Sequence, residues 1–89
     1  MSVSFANDLL PLFTEGDVDC MSGMGVELSD YGYMSDATGD ETFADHTNAR
    51  HVYAHLSGDR RPRMPMGGPY WTDARLQLFE QWMSGGFLA

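Results

Sequence analysis

The stretch DRRPRMPMGGPYW, residues 59–71, constrains the fold more than any other part of the chain. It contains three prolines and two glycines within thirteen residues. Proline removes a backbone N–H donor and fixes φ, and glycine weakens regular structure, so neither an α-helix nor a central β-strand can run through this stretch. The sequence therefore predicts an extended loop here, with regular elements on either side of it.

A helix is predicted directly after this loop. Thr72 is a favourable N-cap, and Asp73 places a negative charge near the positive end of the helix dipole. Apolar residues then recur at helical spacing, and they are Leu76, Phe79 and Met83, with Trp82 beside them. Gly85 and Gly86 predict the end of this helix.

The first third of the chain is predicted to hold one helix and a long loop. Ser4 can cap a helix over residues 4–13, which Pro11 either kinks or ends. Residues 14–37 contain four glycines and are predicted as a loop. Within this loop, residues 30–34 form either a short extended piece or a helical turn.

A middle helical region is predicted over residues 40–57. It is expected to break near Thr47 and Asn48, which are poor helix formers, and to end at Gly58. The whole chain, residues 1–89, is therefore predicted to be a single all-α domain, a small bundle of three to five helices joined by long loops.

Composition limits the compartment and the chemistry. Cys20 is the single cysteine of the 89 residues, which excludes an internal disulfide and a cysteine-based zinc site. The sequence contains no apolar run long enough to span a membrane and no basic-then-apolar N-terminus. A cytoplasmic protein without a membrane partner is predicted, and a signal peptide that has already been removed stays an alternative.

The charge is strongly asymmetric. Thirteen acids stand against five arginines and no lysine, and residues 1–49 carry ten acids and no basic residue. Because such a chain repels a phosphate backbone, nucleic acid is not an expected partner. The acids form either a solvated surface or a docking face for a basic protein.

The order of the predicted elements resembles class I cytochrome c. The shared features are an N-terminal helix ending in LLPLF, a short loop with a cysteine, a middle helix, the MPMGG loop and a C-terminal helix ending in FEQWMSGG. Many bacterial members of that family have a C-x-x-C-H motif after the first helix and a methionine ligand in the MP loop. The resemblance implies a cytochrome c-like bundle in which the N- and C-terminal helices pack against each other.

The haem-binding residues of that family are incomplete in this chain. The resemblance places Cys20 at the first haem-linking cysteine, Gly23 at the second and Met24 at the histidine ligand. Met64 matches the distal methionine, and Met66 lies just beyond it. The resemblance thus implies a domain that has lost haem and binds no cofactor, with Cys20, Met24 and Met64 as vestigial haem positions.

The space of the lost haem must then be filled, because a void costs about 24 cal/mol per Å³ and a small domain is stable by only about 5–15 kcal/mol. Methionine adapts to irregular gaps, and aromatic rings supply bulk. The residues expected to fill this space are Met21, Met24, Met34, Met64, Met66, Tyr31, Tyr33, Tyr70 and Trp71.

A metal site is the alternative to a filled core. His51 and His55 lie four residues apart on a predicted helix and share a face, and Asp45 and His46 are further candidate ligands upstream. Thioether sulfur selects Cu(I), so methionine and histidine together would suit copper.

No catalytic constellation is found in the sequence. Cys20 follows Asp17 and Asp19, whose negative charges disfavour a thiolate, and no histidine neighbours it in sequence. The predicted function is therefore a non-catalytic binding or accessory module that docks to a protein partner, for example an enzyme encoded nearby. The alternative is a copper-binding or electron-transfer protein with methionine and histidine ligands.

Overall fold

The computed structural model describes residues 3–61, 63–64 and 70–89 and confirms the all-α prediction. Its helical elements are a π-helix Phe5–Leu9 continued by a 3-10 turn Leu10–Leu12, then α1 Glu15–Ser22, α2 Tyr31–Met34, α3 Thr47–Ser57 and α4 Asp73–Ser84. The described residues contain no β-strand, only an isolated bridge between Ser4 and Leu88. None of these helices is long and apolar enough to cross a bilayer.

The first predicted helix is helical but not α-helical. Ser4 caps it as expected, because its hydroxyl accepts a hydrogen bond from the Asn7 N–H at 3.1 Å. The backbone first forms the π-helix and then tightens into a 3-10 turn that has Pro11 near its start. The segment ends at Phe13, whose backbone is extended.

The loop predicted over residues 14–37 is wrong for its first part, which forms α1. Thr14 and Asp17 make a reciprocal capping box: the Thr14 hydroxyl accepts from the Asp17 N–H at 3.1 Å, and the Asp17 carboxylate accepts from the Thr14 N–H at 3.2 Å. This cap satisfies two donors at the helix start and outweighs the low helix propensity of Gly16. The helix buries Met21 against the core.

The helical turn, not the extended piece, is present around residues 30–34. The Asp30 carboxylate accepts a hydrogen bond from the Gly32 N–H at 2.9 Å and starts α2. Met34 at its end is completely buried.

The middle helix begins seven residues later than predicted. The Asp40 carboxylate accepts hydrogen bonds from the backbone N–H groups of Thr42 and Phe43, at 2.8 and 2.9 Å, and this turn replaces helix over residues 40–46. Helix α3 then starts at Thr47, at the position where a break was predicted, and Gly58 ends it with φ 90° as predicted.

The C-terminal helix is confirmed at both ends. Thr72 caps α4, and the chain leaves the helix at Gly85. Phe79 and Trp82 are completely buried, whereas Met83 is partly exposed. Trp82 is thus the centre of the buried face rather than its flank.

The N-terminal segment and the C-terminal residues are held together around Trp82. The Leu88 carbonyl accepts hydrogen bonds from the Trp82 indole N–H at 2.8 Å and from the Phe5 N–H at 2.9 Å. The Phe5 and Trp82 rings lie 5.7 Å apart between centroids. The two terminal helical segments are therefore in contact.

Two stacked residues with strained backbone conformations, His46 and Phe87, hold the C-terminal residues against the start of α3. His46 and Phe87 both adopt the left-handed region, with φ 46° and 57°, which is costly for residues with a side chain. Their rings stack with centroids 3.7 Å apart and planes 4° from parallel. The Tyr31 hydroxyl also donates to the Phe87 carbonyl at 2.6 Å.

The residues expected to fill the core divide into two groups. Met21, Met34, Met64 and Trp71 are buried, and Tyr33 is partly buried. The expectation is wrong for the others that can be assessed, since Met24 and Tyr70 are 52% exposed and Tyr31 is 36% exposed. Met66 lies outside the described residues.

Removal of the α1 cap is expected to weaken the fold. Thr14→Ala should lower the free energy of unfolding by about 1 kcal/mol, because the Asp17 N–H at the helix start loses its acceptor. Urea denaturation measures this change.

Thr42→Ala is the matched control. Thr42 is also exposed, and its side chain makes no hydrogen bond in the part of the chain that the structure describes, so a change within about 0.5 kcal/mol is expected. Equal losses in the two variants would contradict the role of the capping box.

Candidate functional site

Two concave sites lie side by side in this protein, and Met21 and Met64 form the boundary between them because both residues line both sites. The larger one, here called the α1 groove, has a volume of about 290 Å³. Its apolar lining consists of Phe13, Met21, Leu28, Leu56, Met64 and Trp71. Gly16, Asp17 and Cys20, all from α1, also line it.

The smaller site, here called the α3 pocket, has a volume of about 180 Å³. Besides the boundary residues, its lining consists of Met24, Val26, Tyr33, Asn48, His51, Val52 and His55. Three thioethers and two imidazoles thus line one small space.

The three residues that the sequence motifs predict to be vestigial haem positions all line these sites. Cys20 is exposed and lines the α1 groove, and Met24 is exposed and lines the α3 pocket. Met64 is buried and belongs to both. A backbone hydrogen bond of 2.9 Å from the Met64 N–H to the His55 carbonyl fixes its position beside α3.

His51 and His55 share the α3 pocket, as their spacing on one helix face predicts. The Nε2 atom of His51 lies 2.9 Å from the Asp40 carboxylate, and the His51 ring meets Phe43 edge-on. Asp40 lies eleven residues before His51, so no helical or turn spacing in the sequence predicts this contact.

The further ligands suggested upstream do not join the histidines. The Nδ1 atom of His46 lies 3.1 Å from the Asp45 carboxylate, which also accepts a 2.7 Å bond from the Arg50 guanidinium. The Arg50 hydrogen bond, followed by the one from His46, lowers the pKa of Asp45. Among the described residues, no group of three or more His, Cys, Asp and Glu side chains could hold a metal ion.

The α1 groove has an apolar floor and an acidic edge. Asp17 is the one charged residue of the lining that the structure describes. Glu15 and Asp19 lie on the same short helix and are exposed. The groove therefore presents negative potential beside apolar surface, and this lining contains no histidine that could activate the Cys20 thiol.

Comparison with models of known protein families, with characterised proteins and with solved structures found no match to this chain. The similarity to class I cytochrome c accordingly stays a prediction from the sequence motifs.

The Asp40 carboxylate is expected to make stability depend on pH. The Phe43 N–H, and also the His51 ring and the Thr42 N–H, lower the pKa of Asp40 below its ordinary value of 3.8. A depressed folded-state pKa stabilises the fold above the unfolded-state pKa, and this contribution is lost as pH falls through the folded-state value.

The measurement is the free energy of unfolding of the parent protein and of Asp40→Asn between pH 7 and pH 2. The parent should be the more stable at neutral pH, and the difference should shrink below about pH 4. Glu41→Gln, a neighbouring acid, is the control and should give no such difference. A constant difference across the pH range would refute the interpretation.

Proposed function

We propose that this protein is a non-catalytic binding module that docks to a protein partner by receiving a basic segment with an apolar anchor residue in the α1 groove. One observation carries the proposal: the carboxylate of Asp17 lines an apolar concavity, and Glu15 and Asp19 are exposed on the same helix.

The apolar lining supplies the affinity in this proposal. Its residues are buried members of the core, among them Leu28, Leu56 and Trp71, so the floor of the groove is held by packing on several sides. A pre-formed site loses little entropy on binding, and burial of apolar surface contributes about 25 cal/mol per Å². One aliphatic or aromatic side chain fits a space of about 290 Å³ better than a large ligand does.

The acidic edge determines the partner class. Asp17 lines the groove, and Glu15 and Asp19 are exposed on the same helix. A lysine or arginine beside the anchor residue of the partner would meet these carboxylates within a Debye length of about 8 Å. Complementary charge accelerates association and excludes acidic competitors.

The resemblance to class I cytochrome c fits this proposal. In that family, the exposed edge of the haem is the surface that contacts redox partners. Cys20 and Met64, two vestigial haem positions, line the α1 groove. We propose that the contact surface persists here without haem, since Gly23 and Met24 replace the second cysteine and the histidine.

Gly16 allows the groove to be closed without damage to the fold. A Cβ atom built at Gly16 would meet only the Thr14 hydroxyl, at 3.8 Å, and φ there is not positive. Replacement of a helical glycine by alanine stabilises a helix by about 0.5–1 kcal/mol. Gly16→Leu should therefore fill the groove, and Gly16→Ala should leave most of it open, while both keep the fold.

The test is selection of short random peptides displayed on phage against the parent protein. Enriched peptides should carry Lys or Arg next to one aliphatic or aromatic residue. Their affinity should fall about tenfold or more in Gly16→Leu, a loss of about 1.4 kcal/mol, and should persist in Gly16→Ala. It should also fall with rising salt, because the carboxylates of α1 are exposed.

Enrichment of peptides without basic residues would contradict the proposed partner class. Undiminished binding of the enriched peptides to Gly16→Leu would show that the α1 groove is not the site. The thermal unfolding midpoint of both glycine variants is the control: a midpoint as high as that of the parent shows that a loss of binding does not come from unfolding.

A further inference from the structure

The α3 pocket brings together side chains that are far apart in sequence and share one chemical property. Met21 lies in the last turn of α1 and Met24 lies just after this helix. His51 and His55 come from α3, and Met64 lies in the segment beyond α3. Thioether sulfur and neutral imidazole nitrogen are both uncharged donors. The described lining contains no carboxylate and no cationic lysine or arginine.

Local hydrogen bonds position the sulfur-bearing residues. The Met21 carbonyl accepts from the N–H groups of Met24 and Val26, at 3.0 and 2.9 Å, and this turn keeps Met24 next to Met21 at the end of α1. The 2.9 Å bond from the Met64 N–H to the His55 carbonyl places Met64 against α3. The three methionines and the two histidines therefore line one pocket.

The contact between His51 and Asp40 leaves one ring nitrogen for a ligand. A carboxylate is an acceptor only, so the Nε2 atom of His51, 2.9 Å from Asp40, carries the hydrogen and donates it. The lone pair of the neutral ring is then on Nδ1. Imidazoles that bind metals commonly donate their other N–H to a carboxylate in this way, which fixes the tautomer.

The donor set distinguishes between metals. Soft thioether ligands select Cu(I), and imidazole also suits copper, whereas Mg²⁺ and Ca²⁺ require oxygen ligands. Tetrahedral zinc sites are built from thiolates, imidazoles and carboxylates, and the thiol of Cys20 belongs to the other site. A monovalent cation also needs no carboxylate to balance its charge.

We propose that the α3 pocket is a Cu(I)-binding site, with thioether ligands from Met21, Met24 and Met64 and an imidazole ligand from His51. Asp40 acts as a positioning residue that holds the His51 ring. The site binds and retains the ion, and no electron transfer is part of the proposal. The proposed copper site and the α1 groove lie on opposite sides of the boundary that Met21 and Met64 form.

The test is an anaerobic titration of the purified full chain with Cu(I) in competition with a chromophoric Cu(I) chelator. One ion per chain is expected to bind. Met24→Leu removes an exposed sulfur, keeps the side-chain volume and should weaken Cu(I) binding about tenfold or more. Met83→Leu removes a sulfur on α4, outside both sites, and should change nothing.

Two further variants separate ligation from folding. Met64→Leu should weaken Cu(I) binding as Met24→Leu does, with its folding checked by circular dichroism, since Met64 is buried. Asp40→Asn should weaken binding by about tenfold through the His51 ring, without removal of any ligand. Its folding is also checked by circular dichroism, because Asp40 holds the turn before α3. Zn²⁺ in excess should not displace Cu(I).

A second readout identifies the ligands directly. In a protein with ¹³C-labelled methionine methyl groups, Ag(I), a diamagnetic substitute for Cu(I), should shift the signals of Met21, Met24 and Met64. The signals of Met34 and Met83 should stay in place.

Absence of Cu(I) binding, equal affinities of Met24→Leu and Met83→Leu, or Ag(I) shifts confined to methionines outside the pocket would each overturn the proposal. A copper titration involves no peptide, so this proposal and the docking proposal succeed or fail separately.

Discussion

The hydrogen bond between the Met64 N–H and the His55 carbonyl is the contact on which the functional surface depends. It attaches a residue from the proline-rich stretch to α3, where the Met64 side chain is 2% exposed. Met64 and Met21 then line both concave sites and divide the space between α1 and α3. Without this attachment, Met64 would not separate the two sites.

The two proposals assign opposite characters to the two sides of this boundary. The α1 groove combines apolar side chains with the carboxylate of Asp17, which suits a basic peptide. The α3 pocket combines thioethers with imidazoles, which suits a soft cation. Because Gly16 belongs to one side and Met24 to the other, substitutions at these two exposed positions address each site without disturbing the core.

The sequence predicts elements well where local chemistry is sufficient. The cap at Thr72 and the stop at Gly58 are encoded within a few residues, and both are confirmed. Helix α1 is an exception, because its capping box of Thr14 and Asp17 is also local, but the four glycines of residues 14–37 favoured a loop. The candidate site was predictable only in part, since the grouping of Met64 with the histidines depends on tertiary contacts and not on periodicity.

The boundary itself can be observed by nuclear Overhauser spectroscopy of protein labelled with ¹³C at the methionine methyl groups. A direct cross-peak is expected between the methyl groups of Met21 and Met64, and another from the Met64 methyl group to the ring protons of His55. If the Met64 methyl group shows cross-peaks to neither residue, the two sites have no common wall and the account is contradicted.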